Sequence, residues 1–370
     1  MRAPRDLALA ALAVVACGAS ACGAGTPLEA LSGEPRALVT SRGDQLHPAL
    51  AGDWLVWFDL SEDPDGSCPA SSYCYEPGCD PTCQGRVMSL ELSSGEARVL
   101  SNPILQETAP AIAGGRAAWR CQDAGGRGLC LSPLGADRQT FLDEVGWDDY
   151  ANDLTQPLAV SGDTLVWPRY RYDGGATPFK LMKADLTTGV RQALLALPSF
   201  PAAWALAGRR AAWVTTAWYD QGYRSRLETL DLDTGEQRLV LETGQVIFGL
   251  AAAGELLAWK QGTRQEWEGE ENEVHVFYLD GAGEIQQADG PEALVSEESG
   301  VVAGQGELFW LDYREGVYRL AARDLAAGTE ALVTPEEAVL GAYQLPAVSG
   351  GRLVWGDRRG GDWDLYVLER

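Results

Sequence analysis

The chain has 370 residues, 46% of them hydrophobic, with 43 Gly, 13 Trp and a formal charge of -24 at a pI near 4.4. That length suits two ordinary domains or one large repeat array. Lys and Arg are scattered, 29 against 53 Asp and Glu, with no basic stripe to exchange counterions with phosphate, which excludes nucleic-acid binding.

The chain opens with a leader pattern. Arg2 and Arg5 form a thin positive region, and Leu7 to Ala16 is an apolar stretch of about ten residues, too short to span a bilayer. It runs into VVAC, ending at Cys17, and ASAC, ending at Cys22. Small residues before a Cys that is followed by Gly resemble a bacterial lipoprotein lipobox. The resemblance implies cleavage before the Cys and lipidation of its thiol. Val14 makes Cys17 the better lipobox match, whereas cleavage before Cys22 leaves six other cysteines, an even set suited to an oxidising compartment. The reading favours Cys22, with residues 1–21 as signal peptide and 22–31 as linker. It predicts a bacterial cell-envelope protein, lipid-anchored to the outer membrane and touching the bilayer through that anchor alone.

From there the chain repeats itself. Trp57, Trp119, Trp167, Trp213, Trp259, Trp310 and Trp355 recur at intervals of 45 to 62 residues, the period of a repeat array. Five residues before each Trp stands Gly52, Gly114, Gly162, Gly208, Gly254 or Gly350; the sixth repeat has Gln305 between two glycines. Gly accepts the positive φ of a tight hairpin turn. The residues just before each Trp are apolar without alternation, as in Leu165-Val166 and Leu353-Val354. That marks a strand buried on both faces. A third segment follows, such as RLETLDL from Arg226, then a Gly turn and a fourth segment, such as EQRLVL from Glu236. The pattern predicts an all-β protein: a seven-bladed β-propeller of four-stranded antiparallel blades over residues 32–370. Six blades is the alternative if the irregular second repeat is not a blade. The last repeat lacks its fourth strand, and SGEPRALVT (Ser32 to Thr40) matches the missing piece. The N-terminal strand is therefore expected to close the last blade, leaving no open radial edge.

The run WGDRRGGDWDLY (Trp355 to Tyr366), with DL-x-TGE turns elsewhere, resembles the TolB-like propeller repeats of bacterial periplasmic and cell-surface proteins. The resemblance covers nearly the whole chain and implies architecture, not activity. The chain departs from that family in lacking the Ser-Pro-Asp-Gly turn between the first two strands. It also lacks the α/β domain that precedes the propeller in TolB, so a role in the Tol system does not carry over.

Strand polarity predicts that all long insertions, at 60–85, 142–156, 168–178, 215–224 and 261–273, lie on one face, the usual place for recognition. The first carries Cys68, Cys74, Cys79 and Cys83, read as two local disulfides of open connectivity in preference to a zinc site. Cys121 and Cys130 fall on facing strands of one hairpin, which predicts a cross-strand disulfide. Trp147, Asp148, Asp149, Tyr150, Trp218, Tyr219, Tyr223 and Trp267 are the candidate partner-binding residues, aromatic rings among carboxylates that stack on sugar or peptide. Acidic loops at 59–67 and 143–153 are possible oxygen ligands for calcium, without a full EF-hand pattern; no other cofactor is expected. With two histidines and no G-x-S-x-G elbow, no catalytic set is legible. The main expectation is a monomeric, non-enzymatic envelope propeller that binds a protein or glycan partner through its loop face. The alternative is a carbohydrate-active or other hydrolytic propeller using loop carboxylates.

Overall fold

A computed structural model describes residues 34–60, 85–102, 108–123, 126–136, 139–144, 158–170, 179–219, 222–263, 273–290, 293, 295–296, 300–314, 316–341 and 345–369. Among them there is no helix, and 28 strands form seven four-stranded antiparallel sheets.

Strand β1 (Arg36–Val39) stands apart from the first repeat. The first blade holds β2 (Gln45–Ala51), β3 (Trp54–Asp59), β4 (Arg86–Glu91) and β5 (Glu96–Val99). The second holds β6 (Ala111–Ala113), β7 (Arg116–Asp123), β8 (Gly126–Pro133) and β9 (Thr140–Glu144). The third is β10 (Ala159–Ser161), β11 (Thr164–Tyr170), β12 (Phe179–Asp185) and β13 (Arg191–Leu197). The fourth is β14 (Ala203–Ala207), β15 (Arg210–Tyr219), β16 (Gly222–Asp231) and β17 (Gln237–Thr243). The fifth is β18 (Val246–Ala253), β19 (Leu256–Gly262), β20 (Val274–Leu279) and β21 (Ile285–Gln287). The sixth is β22 (Val301–Ala303), β23 (Glu307–Arg314), β24 (Val317–Asp324) and β25 (Thr329–Leu332). The seventh has only β26 (Ala347–Ser349), β27 (Arg352–Asp357) and β28 (Asp364–Glu369) of its own, and β1 completes it beside β28. The inner strands neighbour one another in a closed ring, β2, β6, β10, β14, β18, β22, β26 and back to β2. This is a seven-bladed β-propeller, and the irregular second repeat is a complete blade.

The Trp residues explain the stacking. Seven apolar clusters fill the seven interfaces, and each contains one repeat Trp. Trp119 of the second blade packs with Val56 and Phe58 of the first, and Trp167 of the third packs with Leu129 and Leu131 of the second. Side chains alternate along a strand, so each Trp faces the preceding blade and its immediate neighbours face the following one. Trp57 obeys the same rule across the chain ends, packing with Val354, Leu365 and Val367 of the seventh blade. The seven are at most 2% exposed.

The tight turns also follow from chemistry. The six glycines five residues before Trp all sit at φ between 55 and 59°, a region costly for residues with a Cβ. In the sixth repeat Gln305 is spared because Gly306 takes the positive φ, at 81°. Between third and fourth strands an aspartate builds the turn. Asp231 Oδ1 accepts from the amides of Asp233 (3.0 Å) and Thr234 (2.9 Å), and Asp185, Asp280 and Asp324 do the same in their blades. These turns lie opposite the loop face, which leaves the second-to-third hairpins and the inter-blade connectors together on it.

One expected loop differs. The segment 215–224 is not a loop: β15 and β16 run on in register to Tyr219↔Gly222, so the fourth blade projects a two-stranded hairpin from the loop face. Its Thr, Tyr and Trp residues favour the extended backbone that carries the ladder outward. The sixth blade projects likewise, β23 and β24 pairing out to Arg314↔Val317.

Candidate active site

At the loop-face end of each second strand the chain places a polar residue two positions after Trp. These are Asp59, Cys121, Arg169, Thr215, Gln261, Asp312 and Asp357. Three of them accept the indole N–H: Trp57 Nε1 donates to Asp59 Oδ2 (2.9 Å), Trp259 to Gln261 Oε1 (3.2 Å) and Trp355 to Asp357 Oδ2 (3.4 Å). The indole N–H of Trp119, Trp167 and Trp213, followed by Cys121, Arg169 and Thr215, has no such acceptor, and neither has that of Trp310, which Asp312 follows. The buried carboxylates of Asp59 and Asp357 therefore serve the core. Asp357 also accepts from Arg359 and from the Val339 amide (3.0 Å).

Other loop-face charges are likewise engaged. Asp143 is gripped between Arg191 (2.8 Å) and Arg169 (3.5 Å), tying the second blade to the third. Lys260 is fully buried, points toward the sixth blade and donates to the Ser296 carbonyl; Asp312, also fully buried, faces back across the same interface. Cys121 and Cys130 form a disulfide with Cα atoms 5.7 Å apart, and the Gln139 amide donates to Cys130 Sγ (3.1 Å).

Of the candidate partner-binding residues, Trp218, Tyr219 and Tyr223 lie together at the tip of the fourth-blade hairpin, where Trp218 pairs with Tyr223. Trp147, Asp148, Asp149, Tyr150 and Trp267 lie outside the described residues, as do Cys17, Cys22, Cys68, Cys74, Cys79 and Cys83.

Between the projecting fourth and sixth hairpins, the fifth blade carries a group that sequence reading set aside. His275, at the loop-face end of β20, has Nδ1 2.7 Å from Asp289 Oδ2 and Nε2 3.2 Å from Glu273 Oε1. The Asp289 side chain is 1% exposed and its other oxygen accepts from the Val276 amide (2.6 Å); the imidazole is 31% exposed. Gln287 Nε2 donates to Asp289 as well (3.3 Å). Phe277 meets the imidazole edge-on, with centroids 6.3 Å apart, and stacks on Trp259. Partial burial disfavours the imidazolium, but its hydrogen bonds to the Asp289 and Glu273 carboxylates outweigh that and raise the His275 pKa above 6.5. One ring nitrogen thus meets a buried carboxylate and the other an exposed one, Glu273 being 79% exposed, and both favour the charged imidazole. The hairpins beside it present aromatics: Tyr313 and Tyr318, with centroids 4.6 Å apart, on the sixth blade and Tyr223 on the fourth. His275 and Asp289 are fourteen residues apart, so no local motif announces the pair.

No family model matches the chain, and no curated protein matches it. Solved structures do. The β-propeller domain of the Trilobed protease from Pyrococcus furiosus superposes with a TM-score of 0.63 at 11% identity, covering 89% of this chain and 96% of that one. An oligogalacturonate lyase in complex with manganese gives 0.58 at 12%, covering 91% and 93%. An acylaminoacyl peptidase from Pyrococcus horikoshii gives 0.58 at 11%, covering 88% of this chain and 51% of that one, so this chain spans about half of that peptidase. TolB from Acinetobacter baumannii is among the weaker matches, with a TM-score of 0.42. At these identities the likeness establishes the fold. The Trilobed propeller is described as an open velcro, whereas β1 closes this ring.

The expectation of a non-enzymatic, partner-binding propeller is corrected. The matched propellers come mostly from peptidases and a lyase, so the fold comparisons favour the alternative reading over the binding scaffold. That expectation rested on the lack of a legible catalytic set, and the His275–Asp289 pair forms only when β20 meets the connector after β21.

Proposed function

We propose that this chain is a hydrolytic propeller acting on peptide chains across its loop face, with His275 as the acid–base group. The observation that carries the reading is the His275 imidazole held by buried Asp289 between two projecting hairpins. Asp289 orients the ring and stabilises its charged form, while Glu273 beside Nε2 keeps a proton available there. The peptidases among the structural neighbours support a peptide substrate.

A second reading, cleavage of an acidic glycan, is favoured by the near-complete coverage of the oligogalacturonate lyase. The net charge of -24 opposes it, since a polyanion is repelled from such a surface. Attachment to the bacterial envelope through a lipid on Cys22 or Cys17, a TolB-like ancestry of the repeat and calcium on the acidic loops belong to the same proposal. All three rest on the sequence.

A panel of blocked peptides, free peptides and oligogalacturonate, run with calcium and with EDTA, tests the assignment. Peptide hydrolysis that falls at least about tenfold in His275→Asn and Asp289→Asn is expected, at unchanged melting temperature. Glycan cleavage alone selects the second reading, and full peptide activity in His275→Asn removes His275 from the chemistry.

A further inference from the structure

At the loop-face end of the fifth blade, polar residues step outward one strand at a time from the channel to the rim. Gln245 immediately precedes the inner strand β18, Gln261 stands on β19, His275 is paired with it on β20, and Asp289 follows β21. Gln261 lies two residues after Trp259 and so shares its face, toward the fourth blade. Directly paired residues also share a face, which puts His275 there too. A hydrogen-bonded relay runs along this face from the core to the channel side. The fully buried Trp259 donates from Nε1 to Gln261 Oε1 (3.2 Å), and Gln261 Nε2 donates to Gln245 Oε1 (2.5 Å). The backbone amide of Gln245 donates to Thr243 Oγ1 (3.2 Å), which holds the end of the relay in place.

The buried end sets the direction of the relay. An indole N–H can only donate. Gln261 therefore turns its oxygen to Trp259 and its nitrogen to Gln245, and Gln245 answers with its own oxygen. The carboxamide nitrogen of Gln245 is left facing outward, with no acceptor among the described residues. Gln245 is half-buried, and that nitrogen is open to solvent on the loop face. A donor oriented before its ligand arrives loses little freedom on binding. We infer that Gln245 is a substrate-binding residue of the His275 site, donating to a backbone carbonyl of the peptide on the channel side of the cleaved bond. This step rests on the hydrolytic reading. Gln245 and His275 stand two strands apart, about 10 Å, and an extended peptide advances about 3.4 Å per residue. The carbonyl that Gln245 receives is therefore about three residues from the bond at His275.

A ladder of blocked, uncharged peptides of increasing length tests the assignment, by hydrolysis with the wild type and by calorimetric binding to His275→Asn. Both kcat/KM and affinity are expected to rise about fivefold once the peptide reaches Gln245. Gln245→Glu keeps the oxygen that Gln261 requires but loses the donors. It should remove the rise by increasing KM at unchanged kcat, and leave shorter peptides unaffected. Gln261→Glu never meets the peptide, but its second oxygen draws the Gln245 nitrogen inward, so it should remove the same rise. Both variants should melt with the wild type. Absence of the rise in the wild type, or its survival in either variant, overturns the assignment. Length-dependent binding lost in both variants, with no hydrolysis by the wild type, sustains the Gln245 site and defeats the hydrolytic reading. Peptides that neither bind nor are cleaved defeat both.

Discussion

One aspartate per turn does much of the work of ending a blade. Asp185, Asp231 and Asp280 each cap a turn with their carboxylate, and the amides they accept from hold their pKa values below 3.8 against a smaller opposing effect of burial. The sign of the pH effect follows. A carboxylate whose folded pKa lies below its unfolded value contributes stability above the unfolded value, and that contribution is lost as pH falls through the folded one. Asp364 works the other way. Partial burial and the nearby Asp362, Asp357 and Asp44 raise its pKa, so acid relieves strain there. Three turns outweigh one seam residue, so the melting temperature should fall on acidification below about pH 4. The triple variant Asp185→Asn, Asp231→Asn, Asp280→Asn should melt below the wild type at pH 6 and converge with it as the pH is lowered further. Thermal melts from pH 7 to pH 2.5 read both curves. Parallel curves across that range would show that the carboxylates do not cap the turns.

At the scale of one element, the second blade carries the clearest staple. Its hairpin β7–β8 places Trp119 opposite Cys130 and Cys121 opposite Gly128, so the cysteines are diagonal neighbours. The same two offsets in the seventh blade are Asp357 and Tyr366, the latter facing Trp355. The disulfide thus replaces the polar and aromatic layer that other blades build there, and Trp119 accordingly lacks an acceptor. The two half-cystines are 4% and 0% exposed and lie nine residues apart. A loop that short is expected to contribute about 2–3 kcal/mol through restriction of the unfolded chain. Cys121→Ala/Cys130→Ala should therefore destabilise the protein by about that amount. Hydrogen exchange should rise first at β8 and β9, because the first blade still packs against Trp119. Uniform acceleration through all blades would mean that the staple acts on the ring as a whole.

At the scale of the whole molecule, the ring was legible because its rules repeat. Trp, the Gly before it and the Asp after the third strand obey local chemistry seven, six and four times over, so register could be read by counting. The site was not legible, because it depends on pairs that the repeat does not encode. His275 meets Asp289 only when β20 and the connector after β21 come together within the fifth blade. The 215–224 segment was misread for a related reason: its polar turn residues resemble a loop, while register decides that they continue a ladder. The seam between first and last blades shows how far repetition governs the molecule. Trp57 fills it as the other Trp residues fill theirs; Arg352 reaches Asp53 at 2.8 Å, Gly52 N donates to Ser349 Oγ at 3.1 Å, and Gln45 N donates to the Trp363 carbonyl at 2.6 Å. Arg36 and Glu369 touch at 3.0 Å, with Arg36 in register opposite Val367, so the two ends of the described chain lie side by side. If all seven interfaces are equivalent, the place where the chain is cut is arbitrary. A circular permutant that joins 369 to 34 through a short Gly turn, and opens within the 281–283 turn of the fifth blade, should fold to the same ring. Its stability should lie within about 2 kcal/mol of the parent, and the strand-exchanged blade becomes the fifth. Removal of residues 34–40 from the parent, by contrast, strips β1 from β28 and exposes Leu365 and Val367 at the seam. That truncation should melt well below both. A permutant as unstable as the truncation would show that the seventh blade is a special closure and not one more copy of the repeat.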